Sequence, residues 1–130
     1  VIDAGLGFAV KLEKTPSKFG NFIGFDAVQT KKESGYEMRM MQFLLSNPEL
    51  MLYHNEPILK NGDIVGHLTS GTYSHTLGGA VGLGYVTCIP NEGHEDILSA
   101  EYTIEVEGVV EKASASLKPM YDPLNKKIRA

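Results

Sequence analysis

The chain has 130 residues, enough for one domain with its own core, and carries 12 Lys and Arg against 16 Asp and Glu, a net charge of −4. It offers no basic stripe to meet a nucleic-acid backbone, so nucleic acid is not an expected partner. The one cysteine, Cys88, excludes a disulfide framework and fits a reducing compartment. The apolar runs are too short to cross a bilayer and no signal peptide is visible, so no membrane partner is expected. A cytoplasmic location is the expectation, mitochondrial if the source is eukaryotic. The chain opens on Val1 rather than Met, and a piece of a longer protein is expected.

In chain order, "VIDAGLGFAVKL" reads as a short extended segment with turns at Gly5 and Gly7, the first capped by Asp3. A polar loop, "EKTPSKFGN", follows. Asn21 is the predicted N-cap of a helix, because Ile23, Ala27 and Val28 follow at near-helical spacing. The helix should end before Gly35, with Lys31 and Lys32 near its negative end. It is the only helix the pattern supports.

From Met38 the period changes. "MRMMQFLLS" reads as a strand interrupted by Arg39 and Gln42. "EPILKNGDIVGHLTSG" reads as two strands around Asn61-Gly62, both of which tolerate the positive φ of a tight hairpin turn. "GAVGLGYVTCI" is a further strand in which Gly82 and Gly84 suit close packing or a bulge. "NEGHEDILSA" reads as a polar loop. "YTIEVEG" places Tyr102, Ile104 and Val106 on one face and Thr103, Glu105 and Glu107 on the other, a half-buried strand. "VVEKASASL" pairs with it across Gly108, and the tail "KPMYDPLNKKIRA" should run over the surface. The sum is a mainly β fold: one short helix, then about six strands in an antiparallel barrel, closed or nearly so, which removes exposed edges.

Seven of the 14 glycines fall between Gly62 and Val86. A phosphate loop needs glycines between a strand and a helix N-terminus, and here another strand follows, so the glycines are read as shaping the barrel. His54, His67, His75 and His94 include no pair at zinc-helix spacing, so no metal site is expected. Cys88 is expected to be a buried, inert thiol. The carboxylates form no acid–base pair, and no catalytic residue is expected. Phe8, Phe19, Phe22 and Phe25 cluster near the start, either as a satellite core under the helix or as a stacking wall for a flat ligand. The residues by themselves leave that choice open.

Four stretches in order carry a resemblance: "DAGLGFAVKLEK", "NFIGFDAV", "GDIVGHLTSGTYSHTLGGAVGLGYV" and "ASASLKPMYDPLNKKIRA". Together they resemble the C-terminal part of the aminomethyltransferase family. That family includes the glycine cleavage T-protein and the folate-binding halves of dimethylglycine and sarcosine dehydrogenases. The resemblance implies that residues 1–35 end a preceding folate-binding domain with a linker helix and that residues 36–130 form a C-terminal β-barrel. It implies tetrahydrofolate as a shared cofactor, with Phe8 against the folate and Lys14 and Lys11 as nearby basic contacts. Phe8 offers a face without a hydrogen bond, and Lys14 a point charge where arginine would offer a fork.

The family's catalytic and main pterin-binding carboxylates lie upstream of these residues, so the isolated chain is expected to be inactive and its parent an enzyme. The leading expectation is an FAD-linked, dimethylglycine- or sarcosine-type dehydrogenase. Such an enzyme oxidises an N-methyl amine and passes a methylene unit to tetrahydrofolate, and its FAD would sit outside this chain. The alternatives are a flavin-free aminomethyltransferase of the T-protein type, a non-catalytic folate-binding protein on the same scaffold, and a plain binding module.

Overall fold

A computed structural model of the protein describes residues 1–12, 21–90 and 92–129. Its helices are α1 (Phe25–Ser34) and α2 (His94–Ser99). Its strands are β1 (Met38–Leu45), β2 (Pro57–Lys60), β3 (Asp63–Ser74), β4 (Gly79–Thr87), β5 (Tyr102–Val106) and β6 (Val109–Ser116). All strand pairs are antiparallel, and they close into a barrel in the order β1-β4-β3-β2-β5-β6. The expected six-stranded, mainly β barrel is the observed one.

Local chemistry sets the turns. Lys60 pairs with Asp63 across Asn61 and Gly62, whose φ values are 53° and 93°. Two consecutive positive φ angles give a turn whose twist matches that of the flanking strands. Glu107 and Gly108, at 52° and 80°, repeat the device between β5 and β6, so Glu107 belongs to a turn rather than to the strand face.

The barrel is filled by alternating residues. Met41, Phe43 and Leu45 of β1, Ile58 of β2, Leu68 of β3, Val86 of β4, and Tyr102, Ile104 and Val106 of β5 are buried together. Phe43 and Tyr102 meet edge to face at 5.5 Å. The glycines of β3 and β4 set how closely the walls approach. A Cβ on Gly66 would collide with the carbonyl oxygen of Tyr85, and one on Gly84 would come within 2.5 Å of Ile58 Cδ1. Register shifts between Ile58 and Leu59 and between Leu68 and Ser70 mark irregularities where β3 bends to close the barrel.

Three further expectations are corrected. Helix α1 starts at Phe25 behind Gly24, which is left-handed with φ 84°, so Asn21 is not its N-cap and Ile23 lies outside it, fully exposed. The first dozen residues are not extended: a turn at Gly5 and a 3-10 turn over Gly7–Ala9 fold them back on themselves. The polar stretch after β4 contains α2, held to the core by Ile97, its one buried residue. Helix α1 does end at Ser34 with Lys31 and Lys32 in its last turn. The tail follows the surface, where the Asp122 carboxylate accepts the N–H groups of Lys126, Lys127 and Ile128.

Candidate functional site

The N-terminal turns rest on the start of β1. Gly5 N–H donates to the Ile2 carbonyl and Leu6 N–H to the Val1 carbonyl, each at 2.9 Å. Met40 N–H then donates to the Asp3 carbonyl at 2.9 Å, stitching this segment to the strand. Helix α1 joins through Lys31, whose Nζ lies 3.6 Å from Asp3 Oδ1 and 3.8 Å from Glu37 Oε2.

Between these elements lies an open groove of about 430 Å³ lined by Ile2, Gly5, Gly7, Phe8, Lys32 and Arg39. The Phe8 side chain is 85% exposed and makes no satellite core. Arg39 is half-buried and held on three sides. Its Nη1 donates to the Ile2 carbonyl at 3.3 Å, and its guanidinium carbon lies 5.2 Å from the centre of the Tyr36 ring. Its Nη2 sits where a Cβ on Gly5 would approach to 3.1 Å, and Gly5 has a φ of 74°, so glycine serves both the turn and the close approach. Arg39 Nε and Asp3 Oδ1 are buried without a hydrogen-bond partner among the described residues. The groove thus combines an exposed aromatic face, bare glycine backbone and two cations, and among the described residues its lining contains no carboxylate. Chemically it suits a flat ligand that carries negative charge.

Of the residues expected to contact ligand, Phe8 lines this groove. Lys11 is exposed and is not part of the lining, and Lys14 lies outside the described residues, as does Phe19. Phe22 and Phe25 pair edge to face at 5.4 Å. Arg39, Lys32 and Tyr36 were not singled out as ligand contacts. The one available signal was a charged residue interrupting an apolar strand.

Elsewhere the structure offers little chemistry. No group of three or more His, Cys, Asp or Glu could hold a metal among the described residues. The four histidines are exposed. Cys88 is buried, and burial, with Glu92 nearby, pushes its thiol up, which disfavours the nucleophilic thiolate. Burial also pushes the Tyr102 hydroxyl up to about 12, and that hydroxyl has no hydrogen-bond partner among the described residues. Among the described residues, no helix is long and apolar enough to cross a membrane.

Residues 39–122 match the glycine cleavage T-protein C-terminal barrel domain, and the chain belongs to that family. It is 33% identical to a 4-methylaminobutanoate oxidase (formaldehyde-forming) of Paenarthrobacter nicotinovorans, over 97% of this chain and 14% of that protein. It is 35% identical to a probable aminomethyltransferase of Natronomonas pharaonis, over 92% of this chain and 30% of that protein. The crystal structure of glycine cleavage system aminomethyltransferase T from Bartonella henselae superposes with a TM-score of 0.69 at 23% identity, covering 87% of this chain and 29% of that one. That likeness establishes the fold. The chain therefore spans between 14% and 30% of the length of these curated relatives.

Proposed function

We propose that the chain is the C-terminal domain of a tetrahydrofolate-dependent one-carbon enzyme. The groove at Phe8 is the observation that carries this reading. Tetrahydrofolate is a flat ring system joined to a carboxylate-bearing arm, and the lining supplies a flat face with two cations beside it. The residues present fit that ligand: Phe8 would lie against a ring, and the bared backbone of Gly5 and Gly7 would let it approach closely. Lys11 and Lys14 remain candidates for further basic contacts. The role of the protein here is to bind and orient, while the cofactor supplies the one-carbon chemistry. Residues 1–35 would complete a folate-binding domain that begins upstream, and residues 36–130 form the barrel that backs it.

The finer reading is an FAD-linked enzyme of the dimethylglycine or sarcosine dehydrogenase type that passes a methylene unit from an N-methyl amine to tetrahydrofolate. Its support is the 33% identity, across nearly the whole chain, to an enzyme named as an oxidase of an N-methyl amino acid. FAD itself does not fit the described residues. The glycines that might cradle a diphosphate are spread through the paired strands β3 and β4 and their turns, and they open no helix N-terminus. The flavin would therefore belong to a separate domain. The second reading, a flavin-free aminomethyltransferase, is favoured by the 35% identity to a probable aminomethyltransferase.

Two measurements test this. An absorption spectrum of the purified natural full-length protein, incubated with FAD and freed of unbound cofactor, should show flavin bands, and a colourless protein would favour the second reading. Titration calorimetry should show Phe8→Ala weakening tetrahydrofolate binding by about 1–3 kcal/mol through lost stacking area, with unfolding unchanged. Unaltered affinity would remove Phe8 from the site.

A further inference from the structure

We propose that the Lys60–Glu92 ion pair, acting through Tyr36, positions the wall of the ligand groove from outside it. The inference rests on the folate reading above and names residues that set ligand affinity without touching the ligand. Lys60, Glu92 and Tyr36 all lie outside the groove lining.

Three observations carry it. First, the contacts run unbroken from the barrel to the groove. Lys60 Nζ lies 2.6 Å from Glu92 Oε1, the Tyr36 hydroxyl donates to the Glu92 carbonyl at 2.6 Å, and the Arg39 guanidinium carbon lies 5.2 Å from the centre of the Tyr36 ring. Arg39 in turn lines the groove. A ring tied at its hydroxyl cannot swing away from the guanidinium packed on its face. Second, the path crosses the mouth of the barrel. Lys60 ends β2 and Arg39 belongs to β1, and in the closed ring these strands stand on opposite sides. The segment after β4 spans the gap: Cys88 N–H donates to the Glu37 carbonyl at 2.8 Å, and Glu92 Oε2 accepts the Ile89 N–H at 3.3 Å. Third, the pair is withdrawn from water. Its side chains are 20% and 11% exposed, making it the most buried ion pair among the described residues. Burial offsets most of the attraction between two such charges, so the pair contributes more to a fixed geometry than to net stability. What it fixes is the carbonyl to which Tyr36 is tied.

The test pairs calorimetric titration of tetrahydrofolate into the natural full-length protein with hydrogen exchange of the same protein free of ligand. It compares wild type, Tyr36→Phe, Lys60→Met, Lys60→Arg and the Tyr36→Phe/Lys60→Met double variant. Tyr36→Phe keeps the ring and the ion pair and loses only the hydroxyl bond, so it should fold normally and weaken binding about three- to tenfold. Lys60→Met should weaken binding at least as much, and Lys60→Arg should restore most of the affinity. The double variant should bind no worse than the weaker-binding single variant, because both changes act through one ring. Without ligand, residues 1–12 and 36–40 should exchange faster in Tyr36→Phe and Lys60→Met, while residues 102–116 keep their protection. Variants that lose stability yet bind and exchange like wild type overturn the proposal and leave a structural ion pair. Losses that multiply in the double variant also overturn it, because they mark two independent contacts. If Lys60→Met does not fold, Tyr36→Phe decides by the same two readouts. Wild-type protein that does not bind tetrahydrofolate overturns the folate reading, and exchange then decides whether Lys60 and Glu92 position the groove wall.

Discussion

The barrel and the N-terminal segment obey different rules. In the barrel, every strand contributes inward residues to one core, and Gly66, Gly71, Gly82 and Gly84 are placed where another backbone or side chain leaves no room for a Cβ. Among the described residues of the first 35, the helix and the 3-10 turn bury no side chain, Phe8 and Ile23 stand in solvent, and the fixing contacts are a few hydrogen bonds and the Lys31 ion pairs. Exposed ion pairs of that kind contribute little to stability. The contrast teaches that the residues that hold the fold and most of those that line the candidate groove are kept apart here. The barrel supplies a rigid back wall and Arg39, and the loosely tied segment supplies the rest of the groove lining.

The largest expected effect is inside the barrel. Phe43→Ala should cost about 3–5 kcal/mol in urea unfolding, because a fully buried ring against Tyr102 leaves a cavity. A cost under about 1 kcal/mol would show a core that collapses freely, and the contrast would fail. Gly66→Ala should cost about 1–3 kcal/mol, since its Cβ meets the Tyr85 carbonyl, a backbone atom that cannot swing aside.

Tyr102→Phe should change stability at neutral pH by less than about 1 kcal/mol, because the hydroxyl it removes is buried and unpartnered. Its effect should appear in alkali. The folded value of about 12 exceeds the ordinary 10.0, so above pH 10 the unfolded chain releases a proton that the fold retains. Stability then falls as pH rises from about 10 towards 12. Tyr102→Phe should flatten that fall in unfolding curves taken across the range, and an unchanged slope would count against a buried hydroxyl. Cys88, whose thiol is also raised, should keep part of the alkaline loss in the variant. The smallest effect belongs to the other region. Ile23→Ser should move the unfolding free energy by no more than about 0.5 kcal/mol, and a larger change would mean that the segment helps to hold the barrel.

Much of the barrel was legible because its signals are local. Asn61-Gly62 announces its own turn, the alternation in "YTIEV" announces its buried face, and the clustered glycines announce close walls. The misses share a cause. Helix α2 has six residues, no side-chain cap and one buried residue, so the sequence carries almost no period to detect. Asn21 has the right chemistry for a cap, but Gly24 turns the chain into α1 three residues later. At the groove, Phe8 was picked out by the family resemblance, since the residues alone left it between a satellite core and a stacking wall. Arg39 was not, because what makes it special is the company of Ile2, Gly5 and Tyr36, and Ile2 and Gly5 reach it only through the fold.

Strand β1 has a consequence for how the molecule assembles. It is the seam of the barrel, pairing with β4 on one side and β6 on the other, Met41 with Gly84 and Leu45 with Ala113. The β2–β3, β3–β4 and β5–β6 hairpins can form from nearby residues, but the seam must wait for segments far along the chain. Its closure carries the loop entropy of nearly the whole domain, which places refolding in the millisecond-to-second range typical of barrels with distant pairings.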